Sequence, residues 1–270
     1  MLQSIFIFIS IIFFYSPSLL ATPNYNQIML EVLREMPSDG GYDTSPSTLK
    51  KLEGALTFNN DQQKESLRIH MENASPSFCS GATYLVMIKL LTRLQNEKQI
   101  QLSSEVLKEL LIHGQGDGVG IWGRWNANGP GTARLFFELG LGRNFSMNKI
   151  AEAQPGDFLK IFWTEEIGAQ ERGHSVVFTG LRKEGEQQLL CFWSSNKPTN
   201  KKTSGGMGEK CVDLKTIRHA IFSRLEKPER FIHAPRLLGM NSSSYTDEYL
   251  KSMLVKKTTF DEVCRKVGCQ

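Results

Sequence analysis

Residues 77–91, SFCSGATYLVMIKLL, set a cysteine and two small residues immediately ahead of a sustained apolar helical pattern. Leu85, Ile88, Leu91 and Leu94, with Tyr84, Met87 and Leu90 beside them, recur at helical spacing over about four turns and give a broad apolar face. A helix packed in a core is expected here. Cys79 then stands at its amino end, where uncommitted backbone N–H groups and the helix dipole favour a thiolate. The alternative is a small buried thiol that happens to begin a helix.

Working back towards the start, the first 21 residues stand apart. An apolar stretch from Ile5 to Tyr15 is broken by Ser16-Pro17-Ser18 and ends at Ala21 before polar sequence. This pattern reads as a signal peptide over 1–21 that is removed on export, giving a secreted or periplasmic protein. A retained membrane anchor is the competing reading, but spanning helices need roughly 20 apolar residues and this run is interrupted early. No other segment is long and apolar enough to span a bilayer, so no membrane association is expected after cleavage.

Export places the five cysteines in an oxidising compartment, where pairing is the rule and an odd number leaves one over. Cys264 and Cys269 are five apart at the chain end, and Cys191 and Cys211 flank a Gly-, Ser- and Lys-rich loop; two local disulfides would leave Cys79 free. Five unpaired core cysteines are the alternative.

The 270 residues, 40% hydrophobic and 22% charged, suffice for one sizeable core. The 32 basic against 28 acidic residues leave only +4, with no basic patch of interleaved aromatics, so nucleic acid is not an expected partner. Helical periodicity is read at 25–36 and 48–72, separated by the turn-rich PSDGGYDTSPS. Further helices are expected over 103–113 and 131–140. Between them the loop HGQGDGVGIWGRWNANGPG lacks the Gly-Lys-Ser/Thr ending of a phosphate loop. From residue 154 the segments QPGDFLKIFW, HSVVFTGL and QQLLCFW read as neighbouring antiparallel strands. Asp213 is read as the cap of a helix reaching about Arg224, and short helices are read after Thr246 and Thr259. The fold class is α+β, a single domain over 22–270 with a helical extension (22–72), a core (73–200) and a helical C-terminal part (201–270).

A catalytic thiol needs a base, and His174 opens a strand, where a rigid element can hold its ring. Metal-ligand spacing is missing: there is neither Cys-x-x-Cys nor His-Glu-x-x-His, and no cofactor is expected. The Gly-x-Ser-x-Gly elbow of serine hydrolases is absent too.

Cys79-Ser80-Gly81, then Pro155-Gly156-Asp157 leading into a strand, then His174 at the head of the next strand, resemble in order the motifs of the NlpC-type cysteine peptidases of bacterial cell-wall metabolism, within the papain-like class. The likeness covers about residues 75–196. It implies a helix-borne nucleophile packed on a small antiparallel sheet, Cys79 attacking an amide carbonyl and His174 moving the proton. A third polar residue is implied on the following strand, where Asn196 is the leading candidate and Ser194 or Gln188 are alternatives. The resemblance also points to Asn73 as an oxyanion-stabilising amide, and to Asp157 as a turn-shaping carboxylate with no catalytic part. Trp122 and Trp125 could line a sugar or peptide groove, or simply pin a loop from the core. The expected activity is an exported cysteine hydrolase acting on peptidoglycan stem peptides or cross-links. A protease acting on proteins, an acyltransferase and a non-catalytic binding module are the other readings.

Overall fold

A computed structural model describes residues 24–61, 64–112, 118–199, 204–239, 249, 252–253 and 255–269. The segment read as a signal peptide lies outside the described residues, as does most of the helix expected after Thr246, of which 249 and 252 are described and helical.

A seven-stranded antiparallel sheet organises the chain. Its order is β1 (Asp39–Gly40), β9 (Gly206–Asp213), β8 (Gln187–Asn196), β7 (His174–Glu184), β5 (Phe158–Phe162), β10 (His219–Leu225) and β4 (Gly142–Ser146). Two small pairs stand apart from it: β2 (Leu56–Asp61) with β3 (Lys64–Ile69), and β6 (Glu166–Gly168) with β11 (Lys257–Thr259).

Side chains alternate across each strand, so the sheet has two apolar faces. One face turns Phe158, Val177, Trp193 and Met207 towards helices α1 (Tyr25–Arg34), α3 (Cys79–Asn96), α5 (Gly120–Asn126) and α6 (Thr132–Leu139), forming the main core. The other face carries Leu159, Val176, Phe178, Phe192 and Phe222, closed over by the 3-10 segments 147–152 and 214–216. Helices α2 (Pro46–Gly54), α4 (Ser104–Glu109), α7 (Arg236–Gly239) and α8 (Phe260–Lys266) are also present among the described residues. Among the described residues no helix is long and apolar enough to cross a membrane.

The α+β class and the antiparallel sheet agree with the sequence reading, but several elements differ. The helix read over 48–72 ends at Gly54 and gives way to the β2–β3 hairpin. The helix read after Asp213 is one 3-10 turn, capped by the Asp213 side chain accepting from the Lys215 N–H, followed by strand β10. Pairing on both edges, with β4 and with β5, overrides the helical look of HAIFSRL. Among the described residues beyond 201, the part read as helical also supplies two strands of the main sheet, β9 and β10, and the sheet is larger than expected. The glycine-rich loop also contains a helix, α5, which carries both tryptophans.

The Pro155-Gly156-Asp157 turn locks α1 to the sheet. Asp157 is fully buried; its carboxylate accepts from Arg224 Nε at 2.9 Å and a second Arg224 nitrogen at 2.7 Å, Asn26 Nδ2 at 2.8 Å and the Gln154 N–H at 2.8 Å. Gly156 has φ +99°, and a Cβ there would come within 2.6 Å of the Asn26 carbonyl oxygen, so only glycine lets the turn approach α1. A buried carboxylate answered this fully is structural, in line with the sequence reading. Removing it strands the Arg224 guanidinium, so Asp157→Ala is expected to cost about 3–5 kcal/mol of unfolding free energy, checked by denaturant titration. A loss near zero would contradict this role.

Candidate active site

Helix α3 begins at Cys79 after Phe78, whose extended backbone supplies no side-chain cap. The small residues beside the cysteine have packing reasons. Ser80 Oγ donates to Asn126 Oδ1 at 2.6 Å, and a Cβ at position 81 would meet Leu52 Cδ2 at 2.8 Å. The approach to the helix is tied to the sheet and to the N-terminal segment together. The Ser77 carbonyl accepts from Ser195 Oγ at 3.0 Å and from the Asp43 N–H at 3.0 Å, while the Ser77 N–H donates to the Gly41 carbonyl at 3.0 Å. These bonds hold the amino end of α3 at the ends of strands β7 and β8.

His174, the first residue of β7, stands there in hydrogen-bonding contact with the Cys79 thiol. Its ring meets the Phe192 ring edge-on, with centroids 5.5 Å apart, and its Nε2 lies 3.3 Å from Asn196 Oδ1. The Asn196 amide is fixed in turn, Nδ2 donating to the carbonyls of Ser194 and Gly208 at 3.0 Å each, which orients the oxygen towards the imidazole. The alternatives to Asn196 are occupied or remote: Ser194 Oγ donates to the Ser175 carbonyl at 2.7 Å, and Gln188 is exposed near the far end of the β7–β8 hairpin.

The electrostatics favour a thiolate. Burial pushes the Cys79 thiol up, but the hydrogen bond and charge of His174, the charge of Lys160 and the Ser175 N–H more than offset it and bring the thiol down to about 6. Lys160, in the middle of β5, is a buried cation with Nζ 3.4 Å from Ser175 Oγ. Two glycines make room for its side chain: a Cβ at Gly173 would lie 2.4 Å from Lys160 Cε, and one at Gly131 would lie 3.0 Å from Nζ.

Tyr42 faces the thiol from the N-terminal segment. Its backbone bridges Ser77, and its phenol is pushed up to about 12, first by burial and then by the Cys79 charge. It is therefore a neutral donor at any working pH. Cys79, His174, Asn196 and Tyr42 all border one open cleft of about 500 Å³.

The four other cysteines pair as Cys191–Cys211 and Cys264–Cys269, and Cys79 is the free thiol. Three expected residues do not belong to the site. Asn73 is exposed, its amide spent on the Gly54 carbonyl at 3.3 Å, and it does not border the cleft. Trp122 and Trp125 are fully buried, and the Trp125 indole N–H donates to the Ser80 carbonyl at 3.1 Å, so both pin α5 to α3 as core residues. Tyr42 and Lys160 were missed from the sequence. Tyr42 sits in a turn-rich stretch with no motif around it, while the signal for Lys160 was a lone charge inside the apolar run FLKIFW.

Comparison with models of protein families, with curated proteins and with solved structures found no match. The chemistry is accordingly read from the site itself, and its electrostatics can be tested without a substrate. Alkylation of Cys79 by iodoacetamide is expected to rise with pH around a midpoint of about 6. In His174→Ala the midpoint should move up towards the ordinary thiol value of about 8.5, and Lys160→Met should move it in the same direction by less. A wild-type midpoint near that of free cysteine would contradict the arrangement.

Proposed function

We propose that the protein is an exported cysteine hydrolase that cleaves amide bonds through a thioester intermediate, with peptidoglycan stem peptides or cross-links as substrate. The observation that carries this reading is the chain of contacts from the Cys79 thiol to His174 and on to Asn196 at the edge of an open cleft. That is the nucleophile, base and orienting group that covalent acyl transfer requires. The likeness of the Cys-Ser-Gly, Pro-Gly-Asp and His174 segments to NlpC-type peptidases supports the choice of substrate. Export is supported by the two disulfides and by the leader-like first 21 residues.

In this mechanism the Cys79 thiolate attacks the carbonyl carbon, forming the carbon–sulfur bond and moving the carbonyl electron pair onto oxygen. The oxyanion finds two donors: the Cys79 backbone N–H, uncommitted at the first position of the helix, and the neutral Tyr42 hydroxyl. The imidazolium of His174 gives its proton to the departing amine as the carbon–nitrogen bond breaks, leaving a thioester on Sγ. Water then attacks the thioester with His174 accepting its proton, the carbon–sulfur bond breaks to release the acid, and the Cys79 thiolate beside a protonated His174 is restored. Asn196 accepts from the imidazole ring and keeps the other nitrogen turned to the sulfur throughout.

Incubation with purified cell-wall sacculi and with casein tests the proposal. Soluble muropeptides should be released from the sacculi, and Cys79→Ala should abolish the release. Casein cleavage without muropeptides would move the reading to a protease, and no cleavage of either would favour a binding module. On the substrate that is turned over, Tyr42→Phe should lower kcat by about 10²–10³-fold with little change in KM, because its hydroxyl is used in the transition state. Asn196→Ala should lower kcat by roughly tenfold or more, as expected when the base loses its orientation. A Tyr42→Phe enzyme with unchanged kcat would remove the phenol from the oxyanion site.

A further inference from the structure

The cleft beside Cys79 is unevenly charged. Its lining carries three cations, Arg172, Lys197 and Lys210, in addition to His174, and a single acid, Glu171. Both oxygens of that acid are turned to the backbone: Oε2 accepts from the Trp163 N–H and Oε1 from the Gly173 N–H, each at 2.9 Å. Among the described residues none of the three cations forms an ion pair.

Nearby acids are engaged elsewhere. Asp43, next to Tyr42, accepts from the side chains of Ser45 and Thr48. Glu165 pairs with Arg218 at 3.5 Å and His219 at 3.1 Å. Glu209 adjoins Lys210 but alternates to the opposite face of β9, where it accepts from Thr179 Oγ1 at 3.1 Å.

The cations are distributed around the reacting group. Arg172 lies two residues before His174, and Lys197 directly follows Asn196. Lys210 pairs in register with Phe192, whose ring supports His174. Phe192 and the half-buried Trp163 and Val212 give the same cleft an apolar lining. A cleft with positive rims and low-dielectric walls concentrates field and attracts anions.

From this juxtaposition we infer that the substrate of the Cys79 site is anionic, a peptide amide carrying a free carboxylate close to the scissile bond, held by Arg172, Lys197 and Lys210 over the apolar lining. The inference rests on the reading of Cys79 as the nucleophile and adds to it the charge of what the nucleophile meets. Neutral peptides and peptides with basic side chains at that place are selected against.

The test compares alkylation of Cys79 in the full chain by iodoacetate and iodoacetamide, which share one leaving group and differ in a carboxylate. Each rate is divided by that of free cysteine at the same pH. Any change in the amount of thiolate cancels in the ratio of the two rates, so the ratio reports the field in the cleft alone. In low salt the wild-type ratio of iodoacetate to iodoacetamide should exceed that of free cysteine by roughly tenfold. The triple variant Arg172→Gln/Lys197→Gln/Lys210→Gln should lose most of this excess, and so should the wild type once salt shortens the screening length to a few ångströms. A triple variant with the wild-type ratio, or a wild type no more selective than free cysteine, overturns the anionic substrate while leaving the nucleophile intact. A thiol inert to both reagents overturns the nucleophile and the inference together. As a second readout, kcat/KM for a carboxylate-bearing peptide amide should exceed that for its carboxamide twin by a similar factor in the wild type, and equal values would contradict the proposal.

Discussion

The amino end of α3 must meet the ends of β7 and β8, and every property of the site follows from that contact. Helix and strands are brought together by bonds between parts of the chain far apart in sequence. The Ser195 hydroxyl on β8 holds the Ser77 carbonyl, two residues ahead of Cys79 and 118 positions away along the chain. Asp43 and Gly41 hold Ser77 from the N-terminal side. With its approach fixed at three points, the helix has little freedom to slide, and its first residue is delivered to His174. The imidazole, a buried lysine and the Ser175 N–H then converge on one sulfur, and together they outweigh the burial that would keep the thiol protonated.

The N-terminal segment is therefore part of the site. Residues 39–40 add a short strand to the edge of the sheet beside β9, and the next residues run past Ser77 and place Tyr42 against the thiol. A phenol in this position is held neutral by burial and by the charge of Cys79. The backbone bonds that set Tyr42 also steady the head of the helix, so displacing this segment would disturb Cys79 and Tyr42 at once.

The parts of the site legible in the sequence were those encoded locally. A cysteine before an apolar helical face and a histidine opening a strand are patterns legible within ten residues, Asn196 was the leading candidate that the resemblance implied on the next strand, and the structure brings all three together. Cysteine spacing together with the expected export pointed to two local disulfides, and both are present. What escaped the sequence depends on tertiary partners. HAIFSRL is an apolar run that periodicity assigns to helix or strand with equal ease, and pairing on both edges decides for strand. Trp122 and Trp125 sit among glycines, as groove residues do, yet their rings fill the space between α3 and the sheet, the Trp125 ring meeting Phe158 edge-on at 4.9 Å. Asn73 had only a sequence offset in its favour, and its amide found a carbonyl elsewhere. Tyr42 and Lys160 reach the sulfur through a sheet edge and a central strand, and no local pattern encodes that.

The central claim is that Cys79 carries the acyl group. Its most direct test is peptide mapping by mass spectrometry after brief exposure of the oxidised native protein to an activated ester of a short acidic peptide. A thioester on the peptide containing Cys79, discharged by hydroxylamine and missing from His174→Ala, is the expected result. Acylation of a different residue, or turnover of the ester at an undiminished rate in Cys79→Ala, would contradict the account.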